Sequence, residues 1–261
     1  MDYIQQAIDK ARAQRQGGDR PGAPAARAEP IPGSPPRIAY TQTRTVTPSP
    51  MHLAQQRVIA GFTDDKRAES YRQLRTQVLH KLRENNWRTL AVTSPNPGAG
   101  KTLTALNLAI SLSLEVNQTV LLVDLDLRHS SVLEKLGIDA EFGLVDYLEG
   151  RAELSDALIN PGLERLVVLP NNAHGRHRSE LLSSPQMAAL MKDLVGRYES
   201  RLIIFDLPAL LDDDDALVFT PYVDATLLVV EDQVSTRSDI ERSLRLLQGV
   251  PLIGTVLNKV R

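Results

Sequence analysis

The stretch Ser94-Pro95-Asn96-Pro97-Gly98-Ala99-Gly100-Lys101-Thr102 limits the possible folds of this chain more than any other. It follows an apolar run, Leu90-Ala91-Val92, and opens a helical pattern carried by Leu103, Ala105, Leu106, Leu108, Ala109 and Ile110. Strand, glycine-rich turn, Gly-Lys-Thr and helix in that order make a phosphate-binding loop. Glycine tolerates the unusual backbone angles that turn N–H groups toward an anion, and the helix N-terminus adds a favourable dipole. The predicted cradle is Gly98, Ala99, Gly100, Lys101, Thr102 and Leu103. Lys101 would neutralise β- and γ-phosphates, and the Thr102 hydroxyl would ligate Mg²⁺. Pro95 stands where the strict pattern has glycine. The plainer alternative is a glycine-rich turn before an ordinary helix.

Two acidic strand ends accompany the loop. Thr119 to Val123 is a buried-strand pattern that runs into Asp124-Leu125-Asp126-Leu127-Arg128, and Arg201 to Phe205 is a second that ends at Asp206. In an open parallel sheet, ligands sit outside the carboxyl ends of the strands. Loop and carboxylates are therefore expected on one rim. Either aspartate alone would read as a cap or a solvated turn.

Around these motifs, continuous apolar strands alternate with helices. Strands are expected near 89–93, 119–124, 166–169, 202–206, 226–230 and 252–257, and helices near 64–84, 101–114, 185–198 and 236–247. This is the pattern of an α/β, doubly wound, mostly parallel sheet covered on both sides, of P-loop NTPase type. The region 51–261 is long enough for such a core. Ahead of it, residues 1–16 read as an amphipathic helix through Ile4, Ala7, Ile8 and Ala11. Residues 17–50 carry eight of the sixteen prolines and one aromatic, Tyr40, and read as a disordered linker.

Composition narrows the chemistry. No cysteine is present, which excludes thiol catalysis and cysteine metal sites. No apolar run approaches the ~18 residues of a membrane span, and the opening residues lack a signal-peptide pattern. The first sixty residues hold eight Lys/Arg against four acids. A basic tail of that density is ordinarily solvated, with anionic lipid or an acidic partner as the sharper alternative. The run Asp212 to Asp215 is expected to be a solvated loop and cap, because adjacent carboxylates repel. His174 and His177 lack a third metal ligand. Asn258, ending the last expected strand, is either a turn residue or a reader of an adenine edge.

Taken together, the motifs resemble those of the bacterial tyrosine kinases of capsule and exopolysaccharide biosynthesis, within the deviant P-loop ATPases that include the Min and Par proteins. The likeness runs from about Arg57 onward. Val123 to Arg128 is similar to the family's second Walker-type motif and Phe205-Asp206-Leu207-Pro208 to its Walker B. Glu69-x-x-Arg72-x-x-Arg75 resembles its Glu-x-x-Arg-x-x-Arg element. The resemblance implies ATP and Mg²⁺ as cofactors, metal held by Thr102, Asp126 and Asp206, and a catalytic group of Asp124, Lys101 and Arg128, with Asp124 accepting the proton of the attacking hydroxyl. Asn258 would join the nucleotide contacts. Self-assembly, possibly into a ring, would run through Glu69, Arg72 and Arg75. It further implies protein tyrosine substrates, no nucleic acid, and a cytoplasmic site peripheral to the inner membrane through a membrane co-polymerase or adaptor.

Two other readings stay open. A Min/Par-type ATPase switch would carry a signature lysine early in the loop, where this sequence has Asn96. A catalytically weak regulatory adaptor fits the absence of tyrosine after Tyr222, since self-phosphorylating members end in a tyrosine cluster. Self-phosphorylation at a C-terminal tail is not expected here. Tyr40, flanked by Arg37 and Arg44, is the favoured acceptor in trans, with Tyr3 second.

Overall fold

The computed structural model describes residues 43–62, 64–172, 179–196, 200–212 and 214–260. The expected N-terminal helix with Tyr3, the linker up to residue 42 with Tyr40, and His174, His177, Tyr198 and Asp213 lie outside them. The described strands are β1 (Arg44–Thr45), β2 (Thr89–Thr93), β3 (Thr119–Asp124), β4 (Ile159–Asn160), β5 (Leu166–Leu169), β6 (Arg201–Asp206), β7 (Ala225–Glu231) and β8 (Leu252–Asn258). The described helices are α1 (Pro50–Gln55), α2 (Ala68–Glu84), α3 (Lys101–Ser113), α4 (Val132–Leu136), α5 (Leu144–Leu148), α6 (Leu154–Ala157), α7 (Ser179–Leu182), α8 (Pro185–Gly196), α9 (Asp215–Phe219) and α10 (Arg237–Leu246).

One sheet takes all eight strands in the order β1-β4-β5-β3-β6-β2-β7-β8. Its pairings are parallel except β4 with β5. The inner strands carry continuous apolar runs between polar ends because both faces are covered. Leu90 and Val92, Val120 and Leu122, and Leu202 and Ile204 face one core with α2 and α3. Ala91, Leu121, Val123, Ile203 and Phe205 face the other with α8. Each side chain alternates faces, so one strand feeds both cores.

The four long helices follow their local signals. Ser184 Oγ accepts the Met187 N–H at 3.1 Å, capping α8 behind Pro185. Thr236 and Asp239 form a reciprocal capping box on α10, with Thr236 Oγ1 accepting the Asp239 N–H at 3.1 Å. Helix α2 begins at Ala68, four residues later than expected, because Asp65 Oδ1 accepts the Arg67 N–H at 2.9 Å and holds that segment in a turn. Strand β1 forms inside the proline-rich segment. Arg44 and Thr45 pair with Ile159 and Asn160, and Val46 N–H donates to the Asn160 carbonyl at 2.9 Å. Two-residue strands leave no periodicity to read. The acidic run is also less solvated than its charges imply, since Asp215 is 1% exposed at the start of α9.

The strand order positions the site. Strands β3, β6 and β2 are neighbours, and Asp124 pairs with Asp206, which pairs with Val92. The two carboxylate-bearing ends thus lie directly beside the strand that feeds the glycine-rich loop.

Candidate functional site

Gly98 and Gly100 adopt φ of +83° and +95°. Gly100 caps α3, and its carbonyl accepts the Thr104 N–H at 2.9 Å. The loop is braced from both sides. Asn258 Nδ2 donates to the Ala99 carbonyl at 2.9 Å, and Asn96 Nδ2 donates to Asp239 Oδ2 at 3.2 Å. A Cβ on Gly100 would lie 2.1 Å from Asn258 Nδ2. Gly100→Ala therefore meets both a left-handed backbone and a collision. Nucleotide affinity is expected to fall at least about tenfold, measured by equilibrium titration, and Asn258→Ala is expected to recover only part of it.

Lys101 leaves the loop toward β3. Its ammonium donates to Asp126 Oδ2 at 2.6 Å, with side-chain exposures of 11% and 3%. Burial disfavours the ammonium, yet the surrounding charges of Asp206, Asp126 and Asp124 hold its pKa above the ordinary lysine value. Asp126 Oδ1 also accepts the His129 N–H at 2.8 Å.

The three carboxylates have distinct surroundings. Asp124 Oδ1 accepts the Asp126 N–H at 3.1 Å and Oδ2 accepts the Ser130 hydroxyl at 2.8 Å. Burial, then the charge of Asp206, push its pKa up to about 8, against the pull of the Ser130 bond and Lys101. Burial raises Asp206 to about 6, opposed by the charge of Lys101 and by Thr102. Both oxygens of Asp206 are buried, and Thr102 is the hydroxyl placed to bond them. A buried carboxylate with so few donors is further satisfied by a ligand or a cation.

Lys101 and Asp126 open onto a cavity of about 490 Å³, with Asp124 and Asp206 buried behind them and not among its lining residues. Of the nucleotide and catalytic residues named from the sequence, Ala99, Asp124, Asp206 and Asn258 do not line it, whereas Gly98, Gly100, Lys101, Thr102, Leu103, Asp126 and Arg128 do. So do Ser130, Lys135, Pro208 and Asp212, which sequence reasoning did not place there. Pro208 follows the β6 strand end closely enough to have been anticipated, whereas Asp212 was read as solvent-facing. Nothing local marks Ser130 or Lys135. Among the described residues, no group of three or more His, Asp or Glu forms a metal site by itself.

The charged face of α2 divides. Arg72 pairs with Glu69 at 2.7 Å on the helix surface. Arg75 turns inward to α3, 3.1 Å from Glu115 and donating to the Ser111 carbonyl at 3.3 Å.

Residues 90–261 match the family of the CobQ/CobB/MinD/ParA nucleotide binding domain. The tyrosine-protein kinase CpsD of Streptococcus pneumoniae is 31% identical over 198 residues, 75% of this chain and 85% of that protein. The chain belongs to this family, in its bacterial tyrosine-kinase branch. The kinase domain of the Escherichia coli tyrosine kinase Etk superposes with a TM-score of 0.71 at 30% identity, over 78% of this chain and 80% of that one. The tyrosine-protein kinase Wzc of Salmonella typhimurium is 28% identical over 224 residues, 85% of this chain. The chain spans 31% of the length of Wzc. Membership makes this a nucleotide-binding domain on the P-loop scaffold.

Proposed function

We propose that this chain is an ATP-dependent protein-tyrosine kinase that regulates capsule or exopolysaccharide polymerisation and export. The observation that carries the reading is the division of labour among the buried carboxylates. Asp126 pairs with Lys101, Asp206 lies buried beside the Thr102 hydroxyl, and Asp124 is tied to Ser130. That arrangement suits phosphoryl transfer, which needs positioning and charge neutralisation more than covalent help. Lys101 and the loop N–H groups hold the β/γ-phosphates, and Arg128 sits at the cavity wall to meet developing charge. Thr102, Asp126 and Asp206 would hold Mg²⁺. Bound Mg²⁺ would neutralise phosphate charge. Asp124 accepts the proton of the attacking phenol. Asn258 lies close enough to the loop to join the nucleotide contacts.

An ATPase switch of the Min/Par kind is the second reading. Asn96, tied to α10 rather than projecting a lysine, weighs against it. Incubation with γ-labelled ATP and Mg²⁺ separates the two. Label on phosphotyrosine supports the kinase, and label released only as free phosphate would sink it.

Self-assembly is assigned to the Glu69 and Arg72 face of α2. Arg75 serves the subunit's own packing, so the clean test leaves it in place. Glu69→Ala with Arg72→Ala is expected to shift sedimentation to the monomer without altering nucleotide affinity, and an unchanged oligomer would refute the assignment. No helix of the described residues is long and apolar enough to cross a membrane. We place this chain at the cytoplasmic side of the inner membrane through a membrane co-polymerase or adaptor whose cytoplasmic segment docks on this domain.

A further inference from the structure

A second cavity, of about 410 Å³, adjoins the first. Arg128, Ser130 and Glu134 line both, so the loop after β3 separates two contiguous chambers. The second has apolar walls from Leu127, Leu133, Ile138 and Ala140 and a polar floor from Asn171 and Asn172. The dividing loop is anchored to that floor. Ser130 Oγ lies 2.6 Å from the Asn171 carbonyl and Asn171 Nδ2 donates to the Asp126 carbonyl at 3.3 Å. The outer wall is braced as well. His52 Nε2 donates to the Glu134 carbonyl at 2.8 Å, and Gly137, at φ +65°, lies so close to His52 that a Cβ would come within 2.5 Å of its ring. This is a braced chamber in which apolar side chains on one wall face fixed polar and charged groups, enough to seat a side chain that is apolar along its body and polar at its tip.

We infer that this second chamber is the acceptor site, which seats the aromatic side chain of a tyrosine-bearing peptide whose flanking residues are basic. The inference rests on the kinase reading and deepens it. Triphosphate occupies the loop side of the first chamber, so the acceptor must approach the γ-phosphorus from elsewhere. The shared wall at Arg128 and Ser130 is where the two chambers meet, beside Asp124. The phenol ring packs against Leu133, Ile138 and Ala140 while its oxygen reaches past Ser130. The phenol oxygen forms a bond to the γ-phosphorus, the bond from that phosphorus to the β–γ bridging oxygen breaks, ADP leaves, and the phenol proton passes by way of the Ser130 hydroxyl to the ionised carboxylate of Asp124. Basic flanks follow from charge complementarity. Among the described residues that line it, Glu134 and Asp139 on the rim are exposed acids, against one cation, Arg128. The chain's own segment Arg37-Ile38-Ala39-Tyr40-Thr41-Gln42-Thr43-Arg44 has that character, and supplies the probe.

The test uses two synthetic peptides, residues 37–44 as they stand and the same peptide with both arginines replaced by glutamate. Full-length protein, ATP and Mg²⁺ complete the assay. The native peptide is expected to show a KM about twofold to fivefold lower than the glutamate peptide, in line with exposed charge pairs. Ala140→Trp, which fills the chamber from its rim, is expected to raise the peptide KM at least about tenfold while ATP affinity and hydrolysis to water stay unchanged. Asp139→Lys is expected to abolish or reverse the preference between the peptides. If wild type makes no phosphotyrosine on any acceptor, the kinase reading itself fails. If wild type transfers phosphate but Ala140→Trp keeps its peptide KM, or Asp139→Lys keeps the preference, the chamber is not the acceptor site.

Discussion

Asp124→Asn is expected to bind nucleotide as wild type does and to lose about 10²–10⁴-fold in the transfer step, the range a positioned proton acceptor supplies. Asparagine has nearly the same shape, keeps its oxygen on the Asp126 N–H and donates its amide to Ser130 Oγ, whose proton goes to the Asn171 carbonyl, so the site survives while the base is gone. Nucleotide titration with single-turnover kinetics separates binding from chemistry. Normal turnover in the variant would remove Asp124 from its role. The same substitution carries a stability signature. Asp124 and Asp206 titrate near 8 and 6 in the folded protein, above the ordinary 3.8 of an aspartate. A raised carboxylate means that the folded state holds protons which the unfolded chain has already released. Their contribution is therefore fully present below about pH 4 and is lost as pH rises toward 8. Wild type should lose stability across that window in the absence of nucleotide. Asp124→Asn, which never acquires the buried charge, should exceed wild type at pH 8 by about 1 kcal/mol or more, or ~2–4 °C in Tm, and by little near pH 4. Thermal melts of both proteins from pH 4 to 8 check the sign. A gap that widens toward acid pH would contradict the burial of Asp124.

Lys101→Met is expected to weaken ATP binding about 10²-fold or more, since truncating one partner of a desolvated charge pair typically costs ~2–5 kcal/mol. The structure adds a consequence beyond affinity. Without the Lys101 ammonium, Asp126 keeps only the His129 N–H as a donor to its side chain among the bonds described here. A buried carboxylate so deprived destabilises the fold or takes up a proton. Lys101→Met should therefore lower the Tm at pH 8 and recover on acidification. Lys101→Met combined with Asp126→Asn should restore the Tm without restoring ATP affinity. Loss of Tm that the second substitution fails to relieve would show that Lys101 holds the fold by contacts other than Asp126.

Much of the architecture was legible because its causes are local. Apolar runs such as Leu121 to Val123 can only be strands buried on both faces. Ser184-Pro185 and Thr236-x-x-Asp239 announce helix starts by their own hydrogen bonds, and the glycines of the loop declare the backbone angles they permit. The chain by itself thus determined a phosphate loop, two acidic strand ends and a parallel sheet with covered faces. It could not determine how distant segments meet. That Lys101 spends its charge on Asp126, that Arg75 serves α3 while Arg72 stays on the surface, and that Ser130 joins Asp124 to Asn171 are facts of side chains brought together by strand order. Asn258 lies 159 residues from the Ala99 carbonyl it bonds. Asp215 reads as one solvated acid among four until the packing of α9 buries it. Such pairings depend on which strand lies beside which, a choice set by the summed packing of the whole sheet, and only the tertiary structure decided them.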